Sequence, residues 1–283
     1  MQRKLLLIFL FTLFSTIKPQ SFQFSDAIGK FLSASAFTLT PGNIFYVADE
    51  GKNEIIKLDT LGNKLQSIGG YGWSSSTFDN PTDIFATDLR VFVTDKNNNR
   101  IQVFDKDLNY LFEINPSTTS DDENTFRYPT SCATSIQGDI YVLDSDNTRV
   151  MKYNSVGNFL LDFGNYSSGN FLLENPIKLA LSQDSKIFVL DNGFMNVYDQ
   201  YGMGLIKIKT DFQPENINIT FNNLILNSED SLYYQNLLKP IKKFINITPA
   251  NMPDSSGIIE AILHNNDLYL LTKTEIWHFK KNK

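Results

Sequence analysis

Residues 91–104, which read VFVTDKNNNRIQVF, decide the fold of this 283-residue chain. A run of β-branched and aromatic residues ends on Asp95, a polar turn occupies 96–100, and a second such run begins at Ile101. Two runs of this composition around a short polar turn are typical of paired antiparallel strands. The stretch therefore predicts a hairpin in which an aspartate marks the end of the first strand.

The same phrase recurs along the chain at a nearly constant spacing. Its anchoring aspartates, separated by 46, 49 and 47 residues, are Asp49, Asp95, Asp144 and Asp191. A further strand precedes each hairpin and begins near Asn-Pro or an equivalent, where the missing N–H of proline costs nothing. A fourth strand follows a tight turn that usually contains glycine. Four short antiparallel strands per repeat are typical of the blade of a β-propeller.

The last third of the chain keeps the strand pattern but loses the aspartate. Its strands are expected at 221–227 and 231–235 in a fifth unit, and at 258–263, 268–271 and 275–279 in a sixth. The sixth unit lacks a fourth strand, while residues 22–24 have no partner of their own. We therefore expect an all-β, six-bladed β-propeller of four-stranded antiparallel blades over 22–283, closed by this N-terminal strand, because closure removes exposed edges. The alternative is a five-bladed ring with an irregular C-terminal cap.

Residues 80–84 and 93–104 resemble NHL repeats, with Asn98 and Arg100 at the Asn-x-Arg positions of that family. The third unit places Asn147 and Arg149 at the same positions. The resemblance covers roughly residues 31–213 and is closest to secreted propellers of the bacterial type. It implies a six-bladed propeller that serves mostly as a binding platform and, in some relatives, as an enzyme.

The first residues have the pattern of a secretory signal peptide. Arg3 and Lys4 precede the apolar run 5–14, and polar residues follow up to Gln20. The run is shorter than the ~20 residues that a membrane-spanning helix needs. We expect a signal peptide over 1–21, export to the periplasm or the cell exterior, and a monomer without stable membrane insertion. An uncleaved anchor is the alternative.

Charge and cysteine content exclude several classes of function. The formal net charge is −6, which disfavours a nucleic-acid partner because phosphate backbones are bound by clustered Lys and Arg. The single cysteine, Cys132, rules out an internal disulfide and a multi-cysteine metal site. Because Cys132 lies in an apolar strand, we expect a buried and unreactive thiol.

The sequence assigns no catalytic residue, no metal ligand and no cofactor. The four anchoring aspartates are expected to accept backbone N–H groups of nearby turns, and Arg100 and Arg149 to bond between blades. His264 and His278 both lie in the last unit, so they cannot form the multi-blade histidine site of propeller lyases. The alternative is a hydrolase, lactonase or lyase that uses carboxylates and Asn to hold a calcium-like cation in the central channel.

The loops between units carry the expected binding residues. Tyr71, Trp73 and Tyr166 lie in Gly- and Ser-rich loops, where exposed aromatic rings suit a protein or glycan partner. Near the start of each inner strand, equivalent positions expected to rim the central channel on the same face are Asp83, Ser131, Lys178 and Asn216. The sequence therefore predicts a non-catalytic binding or scaffold protein. The alternative is that Tyr71 and Trp73 pack between blades.

Overall fold

The computed structural model describes residues 20–115, 125–241 and 244–282, and this part of the chain is all-β. It contains 24 strands and one short 3-10 segment, Tyr166–Phe171. No helix in these ranges is long and apolar enough to cross a membrane. Residues 1–19 of the expected signal peptide lie outside the described residues.

Four sheets contain four consecutive antiparallel strands each. The first comprises β2 (Ala34–Leu39), β3 (Ile44–Asp49), β4 (Glu54–Asp59) and β5 (Lys64–Gly69). The second comprises β6 (Pro81–Ala86), β7 (Arg90–Asp95), β8 (Arg100–Asp105) and β9 (Tyr110–Ile114). The third comprises β10 (Pro129–Thr134), β11 (Ile140–Asp144), β12 (Arg149–Tyr153) and β13 (Phe159–Phe163). The fourth comprises β14 (Pro176–Leu181), β15 (Ile187–Asp191), β16 (Phe194–Tyr198) and β17 (Gly204–Lys209).

The remaining strands form one eight-stranded sheet. They are β1 (Gln20–Ile28), β18 (Asn216–Thr220), β19 (Asn223–Asn227), β20 (Leu232–Asn236), β21 (Ile245–Ala250), β22 (Glu260–His264), β23 (Asp267–Leu271) and β24 (Ile276–Lys281). Their order across the sheet is β18-β19-β20-β21-β1-β24-β23-β22. All neighbours in this sheet are antiparallel except β1 and β21, which run parallel.

The prediction that residues 22–24 complete the last unit is confirmed. Phe22 pairs with Lys281 and Phe24 with Phe279, so β1 lies antiparallel to β24. Phe22 is fully buried in a cluster that also contains Trp277 and Phe279. The N-terminal strand therefore adds both main-chain hydrogen bonds and apolar contacts to the C-terminal strands.

The first strand of each unit lies at the centre of the molecule. The strands β2, β6, β10, β14, β18 and β22 contact one another in a closed circle. Neighbouring sheets pack face to face around them; one shared cluster, for example, joins Tyr46 and Ile55 of the first sheet to Ile84 and Phe104 of the second. Burying one such side chain stabilises the fold by roughly 1.5–3 kcal/mol. This arrangement leaves a channel along the common axis.

A β-bulge shifts the register at the start of four inner strands. In β14, Pro176 pairs with Asp191 but Lys178 pairs with Leu190, so one residue is skipped. The strands β2, β6 and β10 show the same shift. In β18 the register is regular, and Asn216 pairs with Asn227, which occupies the place of the anchoring aspartate. Asn216 is therefore not structurally equivalent to Lys178, although their sequences align.

Candidate functional site

The anchoring aspartates are buried structural residues of their own sheets. Asp49 accepts the backbone N–H groups of Leu32 and Ser33 at 2.8 and 2.9 Å, which fixes the entry into β2. Asp191 accepts the corresponding groups of Glu174 and Asn175 at 2.9 and 2.6 Å. These bonds confirm the expected capping role. They also mean that the carboxylates are already used within separate sheets.

Arg100 fixes the loop that connects the first and second sheets. A guanidinium has five N–H groups, and here each has an acceptor within 3.0 Å. The acceptors are the carboxylates of Asp95 and Glu113 and the backbone carbonyls of Trp73, Ser74 and Thr77. Burial raises the pKa of Asp95, although its hydrogen bonds to Asn98 and Arg100 act in the opposite direction. The predicted role of Arg100 in bonding between units is confirmed.

The aromatic rings on this loop are exposed. Tyr71 and Trp73 are 64% and 71% exposed, and their rings meet edge to face with centroids 5.7 Å apart. The base of the loop is closed by the backbone bond from Phe78 N–H to the Gly70 carbonyl at 2.9 Å, and the Phe78 ring is fully buried. The structure therefore contradicts the alternative in which Tyr71 and Trp73 pack between sheets.

Tyr166 lies on a different connection, between the third and fourth sheets. It is 96% exposed in the 3-10 segment, which begins after Asn165, whose side chain accepts the N–H of Ser167. It borders a shallow surface pocket together with Arg127 and Arg149. The connections that carry Tyr166 and Trp73 leave the same end of the ring, but the second and third sheets lie between them.

Asp83, Lys178 and Glu260 meet inside the channel. The Lys178 Nζ atom lies 3.0 Å from Asp83 Oδ1 and 2.9 Å from Glu260 Oε1. All three side chains are nearly inaccessible to solvent. Burial alone would lower the pKa of Lys178, but the two carboxylates outweigh burial and raise it. The two carboxylates therefore favour the ammonium form of Lys178.

Further donors complete this network. Asp83 Oδ2 accepts the Ser131 hydroxyl at 2.7 Å and the Cys132 N–H at 3.1 Å, and Glu260 accepts the Phe37 N–H at 3.0 Å and the Asn218 side-chain amide at 3.2 Å. The groups belong to β2, β6, β10, β14, β18 and β22, so every inner strand contributes at least one. We name this set the axial network. The axial network connects the inner strands near their N-terminal ends.

A cavity of about 310 Å³ lies between the axial network and the C-terminal ends of the inner strands. Asp83, Lys178 and Glu260 form its floor, while Asp88, Ile136 and Phe221, which follow the ends of inner strands, line its other end. The aromatic loops precede the starts of inner strands. The cavity and the aromatic loops thus lie towards opposite ends of the ring, and the structure does not bring Lys178 and Trp73 into one surface.

The other two expected rim residues are also buried. Ser131 is fully buried and serves Asp83 in the axial network. Asn216 is 8% exposed and borders a separate surface pocket near Glu229, where its amide donates to the Ile259 carbonyl at 3.2 Å. Position in the repeat identified Asp83, Ser131 and Lys178 as residues of the channel, but it did not identify Glu260 or Asn218.

The single cysteine and the two histidines lie in different structural settings. Cys132 is buried, and burial raises the pKa of its thiol, as expected for an unreactive cysteine. His264 stacks on Phe221 at a centroid distance of 5.2 Å, whereas His278 stacks on Tyr269. Within residues 20–115, 125–241 and 244–282, no group of three His, Cys, Asp or Glu side chains is arranged to hold a metal ion.

Comparisons with known proteins agree with the repeat. The NHL repeat family matches residues 78–104. Protein brain tumor from Drosophila melanogaster is 28% identical over 145 residues, which span 50% of this chain and 13% of that protein.

Solved structures of low sequence identity share the fold. Selenomethionine-substituted virginiamycin B lyase from Staphylococcus aureus has a TM-score of 0.62 at 11% identity, covering 88% of this chain and 95% of that chain. A catalytically inactive form of the enzyme with quinupristin gives 0.62 at 12% identity, covering 93% and 94%. A streptogramin B lyase gives 0.58 at 10% identity, covering 89% and 94%. The chain therefore carries an NHL repeat at residues 78–104 and has the β-propeller fold that these structures share.

Proposed function

We propose that this protein is an exported, monomeric, non-catalytic binding or scaffold propeller that presents its loop face to a protein or glycan partner. The observation that carries the proposal is the exposed pair of Tyr71 and Trp73 on a loop fixed by Arg100. Amphipathic rings that are held in place before binding lose little conformational entropy, and such residues often dominate binding energy.

A six-bladed ring is part of this proposal. The eight-stranded sheet divides at its parallel pair, β1 and β21, into two groups of four strands. Each group has one strand, β18 or β22, in the central circle of contacts. The two groups are then the fifth and sixth blades, joined by main-chain bonds at their outer edges. The sixth blade is completed by β1, as in the closure expected from the sequence.

The proposed export rests on the signal-peptide pattern of the first residues in the sequence. Gln20 and Ser21 already pair with Ile247 and Thr248, directly after the residues with the signal-peptide pattern. A mature protein that starts near residue 20 would keep all of the strand that closes the ring. The mass of the mature protein in the periplasmic or external fraction would test this, and a mass that includes Met1 would contradict it.

The competing proposal is a metal-dependent hydrolase or lyase that acts in the channel. The structural neighbours are lyases, but their low identity supports a common fold rather than a common reaction. In this chain the channel carboxylates of Asp83 and Glu260 already bind the ammonium of Lys178. A cation site there would require that ammonium to move away. Calcium titration monitored by calorimetry tests this proposal, and stoichiometric binding abolished by Glu260→Gln would favour it.

The binding proposal is tested by capture of partners from the host's own envelope or secreted fraction, together with a glycan array. The bait is the mature protein, and the test variant is Tyr71→Ala/Trp73→Ala. The matched control is Leu61→Ala, because Leu61 is 84% exposed in the β4–β5 turn at the opposite end of the ring. We expect the aromatic variant to lose the ligand and the control to retain it. Equal retention by both variants would refute the loop-face site.

A further inference from the structure

The cavity of about 310 Å³ beside the axial network is named here the axial cavity. It borders a hydrogen-bond donor that the axial network does not satisfy. An ammonium carries three N–H groups. Two groups on Lys178 have acceptors, the carboxylates of Asp83 and Glu260 at 3.0 and 2.9 Å. No other residue in the described part of the chain accepts a hydrogen bond from Lys178. Its side chain is 11% exposed and lines the cavity. A buried donor needs an acceptor, either from water or from a ligand.

The walls above Lys178 favour an apolar body. They include the apolar residues Leu39, Ile84, Leu179, Leu181 and Ile219. The volume of about 310 Å³ lies at the lower end of the range of small-molecule sites, which are concave and mostly apolar with few polar groups. A compact molecule of one ring with a short substituent fits this description better than a polymer does.

The charges around the cavity select against anions. Its described lining contains three carboxylates, those of Asp83, Asp88 and Glu260, and a single cation, Lys178. Lys178 is already shared by two of the carboxylates, so a third carboxylate beside it would add repulsion without a free countercharge. A ligand ammonium would place its own N–H groups against the third N–H of Lys178, so that two donors would face each other without an acceptor. A neutral oxygen satisfies the donor without either penalty.

We propose that the axial cavity binds a compact, neutral and largely apolar molecule whose terminal oxygen accepts the third N–H of Lys178. This site lies at the opposite end of the ring from Tyr71 and Trp73. It does not rest on the proposed loop-face function, and either site can fail without the other.

Three probes that share a ring but differ in charge test the proposal: acetophenone, benzoate and benzylammonium. Calorimetry gives their affinities for the mature protein, and methyl NMR locates them. We expect acetophenone to bind one to one, at least tenfold more tightly than benzoate and benzylammonium. It should shift the methyl signals of Ile84, Ile217 and Ile219, which line the cavity, and leave that of Ile114, on the outer strand β9, unchanged.

A variant that narrows the cavity supplies the second arm of the test. Thr134 is 8% exposed and lines the cavity, whereas Thr248 is exposed on β21. Thr134→Leu should weaken acetophenone binding at least tenfold, and Thr248→Leu should leave it unchanged. Both variants avoid the ion pairs that hold the fold together. The proposal is overturned if acetophenone does not bind, if either charged probe binds as tightly, or if the shifts appear at the aromatic loops.

Discussion

Lys178 on β14 and Glu260 on β22 are 82 residues apart in the chain, and their side chains meet at 2.9 Å inside the channel. Asp83 on β6 approaches the same ammonium at 3.0 Å. The three residues belong to inner strands that do not neighbour one another, so the ion pairs cross the axis of the ring. A buried ion pair is often of small net benefit, but the loss of one partner leaves charges without compensation.

We predict that Lys178→Met destabilises the protein by roughly 3–5 kcal/mol, because two buried carboxylates lose their common ammonium. Addition of Glu260→Gln to this variant should recover part of the loss, since one buried charge is then removed. Urea unfolding of the single and double variants measures both effects. A double variant that is no more stable than Lys178→Met would show that charge is not the cause.

Lys186→Met is the matched control for that experiment. Lys186 lies 2.6 Å from Asp184, but the two side chains are 46% and 61% exposed. Exposed ion pairs contribute about 0–1 kcal/mol, so this change should have little effect on the urea midpoint.

We predict that Arg100→Lys lowers the free energy of unfolding by roughly 3 kcal/mol, because the lysine ammonium cannot reach all five acceptors and leaves buried ones unsatisfied. The loop that carries Trp73 should also become mobile. Trp73 is 71% exposed and Trp277 fully buried, so iodide quenches mainly Trp73. A rise in quenching and a fall in fluorescence anisotropy would report the loosened loop. Unchanged stability and anisotropy would contradict the role given to Arg100.

We predict that Phe22→Ala costs roughly 3–5 kcal/mol, the range for truncation of a buried aromatic residue. Phe22 packs in one cluster with Trp277 and Phe279, so the loss should weaken the closure of the ring and expose Trp277 to quenchers. Leu61→Ala, which removes an exposed side chain, should stay within about 0.5 kcal/mol of the native protein. A small effect of Phe22→Ala would mean that β1 contributes little to closure.

We predict a specific alkaline dependence at Tyr46. Burial, followed by the charges of Asp107, Asp105 and Asp88, raises the pKa of Tyr46 from 10.0 to about 12. The unfolded chain therefore releases this proton at lower pH than the folded protein does. The contribution of Tyr46 to stability is complete below pH 10.0 and is lost as the pH rises towards about 12.

The variant Tyr46→Phe tests this dependence. Near neutral pH it should cost roughly 0.5–1.5 kcal/mol, because the hydroxyl donates to the Lys106 carbonyl at 2.6 Å. Above pH 10.0 the difference between the native protein and the variant should narrow. Urea midpoints at several alkaline pH values measure it, and a difference that stays constant would exclude a raised pKa at Tyr46.

The sequence was most informative where the repeat is strong. The strand-ending aspartates, the hairpins around Asp95 and Asp144, and the partner of residues 22–24 all followed from local pattern and from the need to pair every strand. These features depend on neighbouring residues, or on a count of strands, and both can be read without coordinates.

The centre of the ring was harder to predict. Glu260 lies in a unit without the repeat phrase, and its contact with Lys178 depends on how strands distant in sequence meet around the axis. The sequence also did not predict at which end of the channel the cavity lies, because this depends on which end the side chains fill. A bulge present in β14 and absent from β18 then made Asn216 a false equivalent of Lys178.

The antiparallel pairing of β1 with β24 has a consequence for the connectivity of the chain. The N–H of Asn282 donates to the Ser21 carbonyl at 3.0 Å, and the two side chains bond at 3.1 Å. Residues 21 and 282 are therefore adjacent in space. A linker of a few residues could join them, and new ends could be opened in the exposed turn at Leu61. Such a circular permutant would move the seam of the ring into the first sheet without changing any contact in the channel.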